Sequence, residues 1–117
     1  MGRRSNPVYR VCAAYDTETT NVRIDGRWRA FAYLYQVNDL RGVDLARYVP
    51  DRDDHVELFR RCDDVLDYID ALIEWGASNH VVPIIAGYNL MFDLQSIFAE
   101  LCRRYDTQVN AQSSTNV

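Results

Sequence analysis

Three carboxylates in two short motifs carry the chemistry that this chain could perform. Asp16 and Glu18 stand in Asp16-Thr17-Glu18-Thr19-Thr20, at the end of an apolar run. Asp93 closes Asn89-Leu90-Met91-Phe92-Asp93, where a second apolar run meets an amphipathic segment. Hard divalent cations such as Mg2+ and Mn2+ prefer oxygen ligands. Two such ions held about 3.5–4 Å apart activate a water and stabilise the leaving oxygen of a phosphodiester. The chemistry to expect is therefore metal-dependent phosphodiester cleavage, if the fold brings the strand end and the helix start together.

Each residue also has a plainer reading. Asp-x-Glu at a strand end is ordinarily solvated charge. Asp93 suits a helix first turn, where the helix dipole favours an acid. Asn89 suits an N-cap, Phe92 suits a core, and Thr17, Thr19 and Thr20 suit a strand running into a turn. Taken one at a time, the plain readings are the better ones. The combination, on suitable elements in a suitable order, favours the site.

The elements that must position these groups follow from periodicity. Residues 8–15 form an apolar, partly β-branched run and are expected as a strand, with Asp16 and Glu18 on one side of its end. Asp25-Gly26 marks a hairpin turn, and residues 28–37 read as the second strand. A third short strand is expected around residues 43–49, before Pro50. Leu58, Phe59, Cys62, Val65, Leu66, Ile69, Leu72 and Ile73 recur at helical spacing. Asp54 with Glu57 resembles a capping box for that helix, and Gly76 a C-terminal stop. The opposite helix face, with Arg60, Asp63, Asp64, Asp67, Asp70 and Glu74, reads as solvated charge. Residues 81–87 are apolar throughout, as in a strand buried on both faces. Helical spacing resumes at Leu94, Ile97, Phe98, Leu101 and Tyr105. The expected fold is an α/β mixed sheet flanked by helices, in the order with which a ribonuclease H-like fold begins. Residues 1–7 read as a flexible lead-in, 8–105 as a partial domain, and 106–117 as a polar tail or cut loop.

With 117 residues, 48% of them hydrophobic, the chain is expected to form one domain with a real core. No apolar run approaches the roughly 20 residues of a membrane span, so no membrane association is expected. The odd, widely spaced Cys12, Cys62 and Cys102 read as reduced, mostly buried thiols of a cytoplasmic protein. With no CxxC and with His55 and His80 far apart, zinc is not expected. The net charge of −4 is not that of a non-specific nucleic-acid binder. Its distribution is uneven: Arg3, Arg4, Arg10, Arg23, Arg27, Arg29 and Arg41 outnumber Asp16, Glu18, Asp25 and Asp39 in the first part of the chain. Tyr33 and Tyr35 are expected to pack rather than to stack on bases.

Tyr15-Asp16-Thr17-Glu18-Thr19-Thr20 resembles the first exonuclease motif of B-family DNA polymerases, above all the protein-primed enzymes of phages, linear plasmids and adenoviruses. Ala86-Gly87-Tyr88-Asn89-Leu90-Met91-Phe92-Asp93 is similar to their second motif, Asn-x-x-Phe-Asp. The resemblance runs from about Tyr9 to Tyr105 and is strong at the two motifs. It implies a proofreading 3′→5′ exonuclease with a DEDD-type, two-metal site for Mg2+ or Mn2+. Asp16, Glu18 and Asp93 would be the catalytic metal ligands. Thr19 and Asn89 would hydrogen-bond the terminal nucleotides of a single-stranded DNA 3′ end, Phe92 would pack on a base, and Tyr88 would lie beside that path. A terminal protein primer would be a partner of the parent polymerase, in a bacterial or phage-infected cell. The family's third motif, Tyr-x-x-x-Asp, is not found; Glu100 and Asp106 do not stand in that pattern. The expectation is a piece of a longer polymerase, inactive or weak alone and able to self-associate through an incomplete sheet edge. Two other readings are a stand-alone DEDD exonuclease completed by a partner, and a non-catalytic nucleic-acid-binding or scaffold module that keeps the fold.

Overall fold

The computed structural model describes residues 6–43, 56–87 and 90–108. Two long strands dominate it. Strand β1 (Val8–Ile24) and strand β2 (Arg27–Asp39) pair antiparallel. They are joined at Asp25-Gly26, both left-handed with φ of 53° and 76°. Those angles are what a two-residue type I′ hairpin requires, and Asp-Gly supplies them at low cost. Strand β1 runs well past its expected end, so the first acidic motif lies within a strand. The β-branched residues Thr17, Thr19, Thr20, Val22 and Ile24 favour extended backbone, and pairing with β2 continues to Ile24↔Arg27.

Strand β3 (Val56–Phe59) adds antiparallel to β2, and β4 (Val81–Ala86) adds parallel to β1, giving the order β3-β2-β1-β4. The result is a mixed α/β fold, as expected. Helix α1 (Cys62–Asn79), helix α2 (Leu90–Gln95) and helix α3 (Phe98–Arg104) complete it. Val65 and Leu72 of α1 and Ile97 between α2 and α3 are buried in one cluster with Ala13, Tyr15, Tyr35 and Val37 of the sheet. Each such large apolar side chain contributes on the order of 1.5–3 kcal/mol on burial. On the other sheet face Tyr9, Leu58 and Ile84 are exposed.

Four element expectations are corrected. The segment Val56–Phe59 is a strand, not the first turn of the long helix, which begins at Cys62 after Arg61 with no side-chain cap. Its alternating apolar residues fit either period over so short a run. Of the expected capping pair, Glu57 lies in β3 and Asp54 lies outside the described residues, as does most of the expected strand around 43–49. Gly76 does not stop α1, which continues to Asn79 and is capped by left-handed His80. Its role is close approach: a Cβ there would lie 2.5 Å from the Val81 carbonyl oxygen and 3.0 Å from Pro83 Cδ. Strand β4 is an edge strand with Ile84 exposed, not one buried on both faces. The last helix is broken at Ser96, whose Oγ donates to the Asp93 carbonyl at 2.6 Å. Such back-bonding by serine competes with regular helix.

Two polar clusters tie the layers together. Arg41 clasps Asp39 through Nε at 3.0 Å, while its guanidinium lies 5.8 Å and 5.5 Å from the ring centroids of Tyr68 and Trp75 on α1. Arg104 of α3 bonds Asp67 and Asp70 of α1 at 3.1 Å and 2.8 Å, and Tyr105 donates to Asp70. Burial and that donation to Asp70 push the Tyr105 phenol up to about 12. Cys12 is buried, Cys62 half-buried and Cys102 exposed, all free, so the thiols are less uniformly buried than expected. Among the described residues no helix is long and apolar enough to cross a membrane.

Candidate nucleic-acid site at the junction of the two motifs

Strand alternation decides which residues of the first motif meet the second. Tyr15, Thr17 and Thr19 share the face of β1 that receives the helices; Asp16 and Glu18 share the other. Cross-strand pairing fixes the assignment. Thr17 lies opposite Tyr35, which lies opposite Phe59, and Tyr35 is part of the core. Asp16 lies opposite Gln36, which lies opposite the exposed Leu58.

Helix α2 and the turn that follows it dock on this row through two side-chain bonds. Thr17 Oγ1 donates to Asp93 Oδ1 at 2.7 Å. Asp93 is only 4% exposed and Thr17 9%. The Tyr15 hydroxyl and Ser96 Oγ are 3.1 Å apart. Since the Ser96 proton is directed to the Asp93 carbonyl, Tyr15 is the donor. Burial pushes the Tyr15 phenol far up, against the lowering effect of its bond to Ser96. It therefore stays protonated and serves as an anchor, not a base.

The two motifs thus meet, but through Thr17 and not through Asp16 and Glu18. Asp16 and Glu18 are exposed, and Asp16 Oδ1 accepts from the Thr17 amide at 2.9 Å. Among the described residues no group of three or more His, Cys, Asp or Glu side chains is placed to hold a metal ion. The three carboxylates in this arrangement do not fit a shared Mg2+ or Mn2+. Thr19 lies on the helix-facing side of β1, Phe92 lies in α2, and Tyr88 and Asn89 lie outside the described residues.

Thr19 borders a cavity of about 500 Å3, lined also by residues 29–32 and Tyr35 of β2 and by Gln95 and Ser96. Its volume is within the range of about 300–1,000 Å3 usual for small-ligand sites. Sequence reasoning passed over Tyr15, Thr17 and Ser96. The signal for the first two was parity: an aromatic residue ending an apolar run points to the core and carries Thr17 with it. Ser96 had no comparable signal.

Comparison with protein-family models, with curated proteins and with solved structures finds no match for the chain.

Proposed function

We propose that the chain contributes the first two motifs of a proofreading 3′→5′ exonuclease domain of a DNA polymerase, with a single-stranded DNA 3′ end as its ligand. The observation that carries this reading is the Thr17–Asp93 bond, which joins the motif segments across 76 positions of sequence. Motifs that resemble one family's and pack on each other are hard to explain as unrelated acidic patches. The sheet order β3-β2-β1-β4, with β4 parallel to β1, supports a ribonuclease H-like frame for them. Thr19 on the wall of a cavity supports its expected contact with a terminal nucleotide.

Hydrolysis is not assigned to this arrangement of the chain, because Asp16 and Glu18 face away from Asp93. What its residues do is bind. Tyr15 and Thr17 hold α2 against the sheet, and Thr19, Gln95 and Ser96 offer hydroxyl and amide groups to a strand end beside it. That same divergence of carboxylates favours a second reading, a non-catalytic single-strand-binding module with the same frame.

Both readings predict a preference for single strands. A 5′-fluorescein-labelled oligo(dT) should bind more tightly than a blunt duplex of the same length, with affinity falling as salt rises. Equal affinity for the two, or binding of neither at low salt, would overturn the proposal.

A further inference from the structure

The β1–β2 hairpin carries a feature that neither motif accounts for. Past Thr17↔Tyr35, β1 and β2 continue as a two-stranded arm that runs along the cavity through Thr19↔Ala32 and Asn21↔Ala30 and past it through Arg23↔Trp28 to the Asp25-Gly26 turn. Directly opposed residues share a face. One face of the arm thus presents Thr19, Ala32, Asn21, Ala30, Arg23 and Trp28 in a row that starts at the cavity. Alternation along β1 makes it the face of Thr17, and on β2 the register shift between Glu18 and Thr19, which skips Tyr33, brings Ala32 onto that face.

The composition of that row is specific. Trp28 is 69% exposed, although an indole ring is among the more costly groups to leave in water. The cavity wall next to Trp28 is low, because Ala30 and Ala32, which line it, carry only a methyl group. The arm is basic on an acidic protein. Arg23, Arg27 and Arg29 face one acid, Asp25, in the arm, while the chain as a whole carries a net charge of −4. None of the three arginines forms an ion pair with a described residue. Arg29 also borders the cavity. A flat exposed aromatic opposite the Arg23 guanidinium, on the face that borders a cavity, matches a strand of unpaired nucleotides: stacking accepts any base, and arginine matches phosphate.

We infer that this face of the hairpin arm is a track for single-stranded nucleic acid leading into the cavity. Trp28 stacks a base at its outer end, Arg23 holds a phosphate, and the cavity takes the terminal nucleotide. From Thr19 to Arg23 the strand rises about 13 Å at about 3.3 Å per residue. That is room for three to four stacked nucleotides at about 3.4 Å each. The track rests on the single-strand reading above and extends it to residues outside both motifs.

The test is the anisotropy of a short 5′-fluorescein-labelled oligo(dT) titrated with the full chain in EDTA at low salt. An oligo(rU) of equal length is run beside it to separate DNA from RNA. Trp28→Ala should weaken binding between about 5- and 150-fold, and Trp28→Phe should restore most of it. Arg23→Ala should lower the slope of log affinity against log salt by about 0.7. Arg27→Ala is the control. It removes the same charge from the opposite face, where Arg27 pairs with Ile24, and should change the slope far less. If the wild type binds but Arg23→Ala and Arg27→Ala behave alike, or Trp28→Ala binds normally, the track is wrong and the single-strand reading stands. If the wild type binds neither oligonucleotide, the track and the single-strand reading both fall. Tighter binding of oligo(rU) would keep the track and make RNA its occupant, against the DNA polymerase reading.

Discussion

Thr17 and Asp93 form a buried hydrogen bond of 2.7 Å between the strand that carries one acidic motif and the helix that carries the other. A donor lost from such a site leaves its partner unsatisfied, at a cost of about 1–3 kcal/mol. Thr17→Val, close in shape and without the hydroxyl, should lower stability to urea by that amount. Thr17→Val with Asp93→Leu removes both partners and should recover much of the loss. Losses that simply add in the double variant would show that the bond is not formed.

A second prediction concerns Gly76. Its missing side chain lets α1 approach β4, and the atom nearest to an added Cβ is the Val81 carbonyl oxygen. Backbone cannot step aside as a flexible side chain does. Gly76→Ala should therefore destabilise the protein by about 1–3 kcal/mol, as other overpacking substitutions do, despite alanine's higher helix propensity. Equal or greater stability on thermal unfolding would contradict the packing described.

Much of this frame was legible in the sequence, for identifiable reasons. Asp25-Gly26 named its turn because the turn needs two left-handed residues. The spacing of Val65, Leu66, Ile69 and Leu72 named α1 because only one face of it meets the sheet. What was not legible depends on partners. The segment Val56–Phe59 is a strand because β2 offers it an edge, and Gly76 stays inside α1 because Pro83 and Val81 press against it. At the candidate site the two motif segments do meet, but the parity of β1 was not followed through. Asp16 and Glu18 were correctly placed on one side of β1, but α2 packs on the other side, over Tyr15 and Thr17.

A third prediction is a pH dependence. Burial raises the Asp39 carboxyl, but the hydrogen bonds and charge of Arg41 outweigh it, so its value lies below the ordinary 3.8. A lowered folded value means that the pair stabilises fully above the ordinary carboxylate range. The contribution fades as pH falls through the lower, folded value. Urea unfolding followed from neutral to acid pH should show a loss on the acid side that Asp39→Asn makes shallower. An unchanged acid limb in that variant would show that the Asp39–Arg41 pair does not stabilise the fold.

A fourth prediction follows from the divergence of the carboxylates. With Asp16 and Glu18 turned away from Asp93, calorimetry with Mn2+ should find no single saturable site in the chain alone. Asp93→Asn should leave the titration unchanged. A single strong site weakened by both Asp16→Asn and Asp93→Asn would mean that the three carboxylates do converge.

As proposed, this chain holds two motifs of a three-motif proofreading domain. The most direct measurement is to read the coding region downstream of Val117. The expected result is an open frame with a Tyr-x-x-x-Asp motif, followed by polymerase sequence. A natural stop codon directly after Val117 would contradict the polymerase reading and leave a single-strand-binding module in its place.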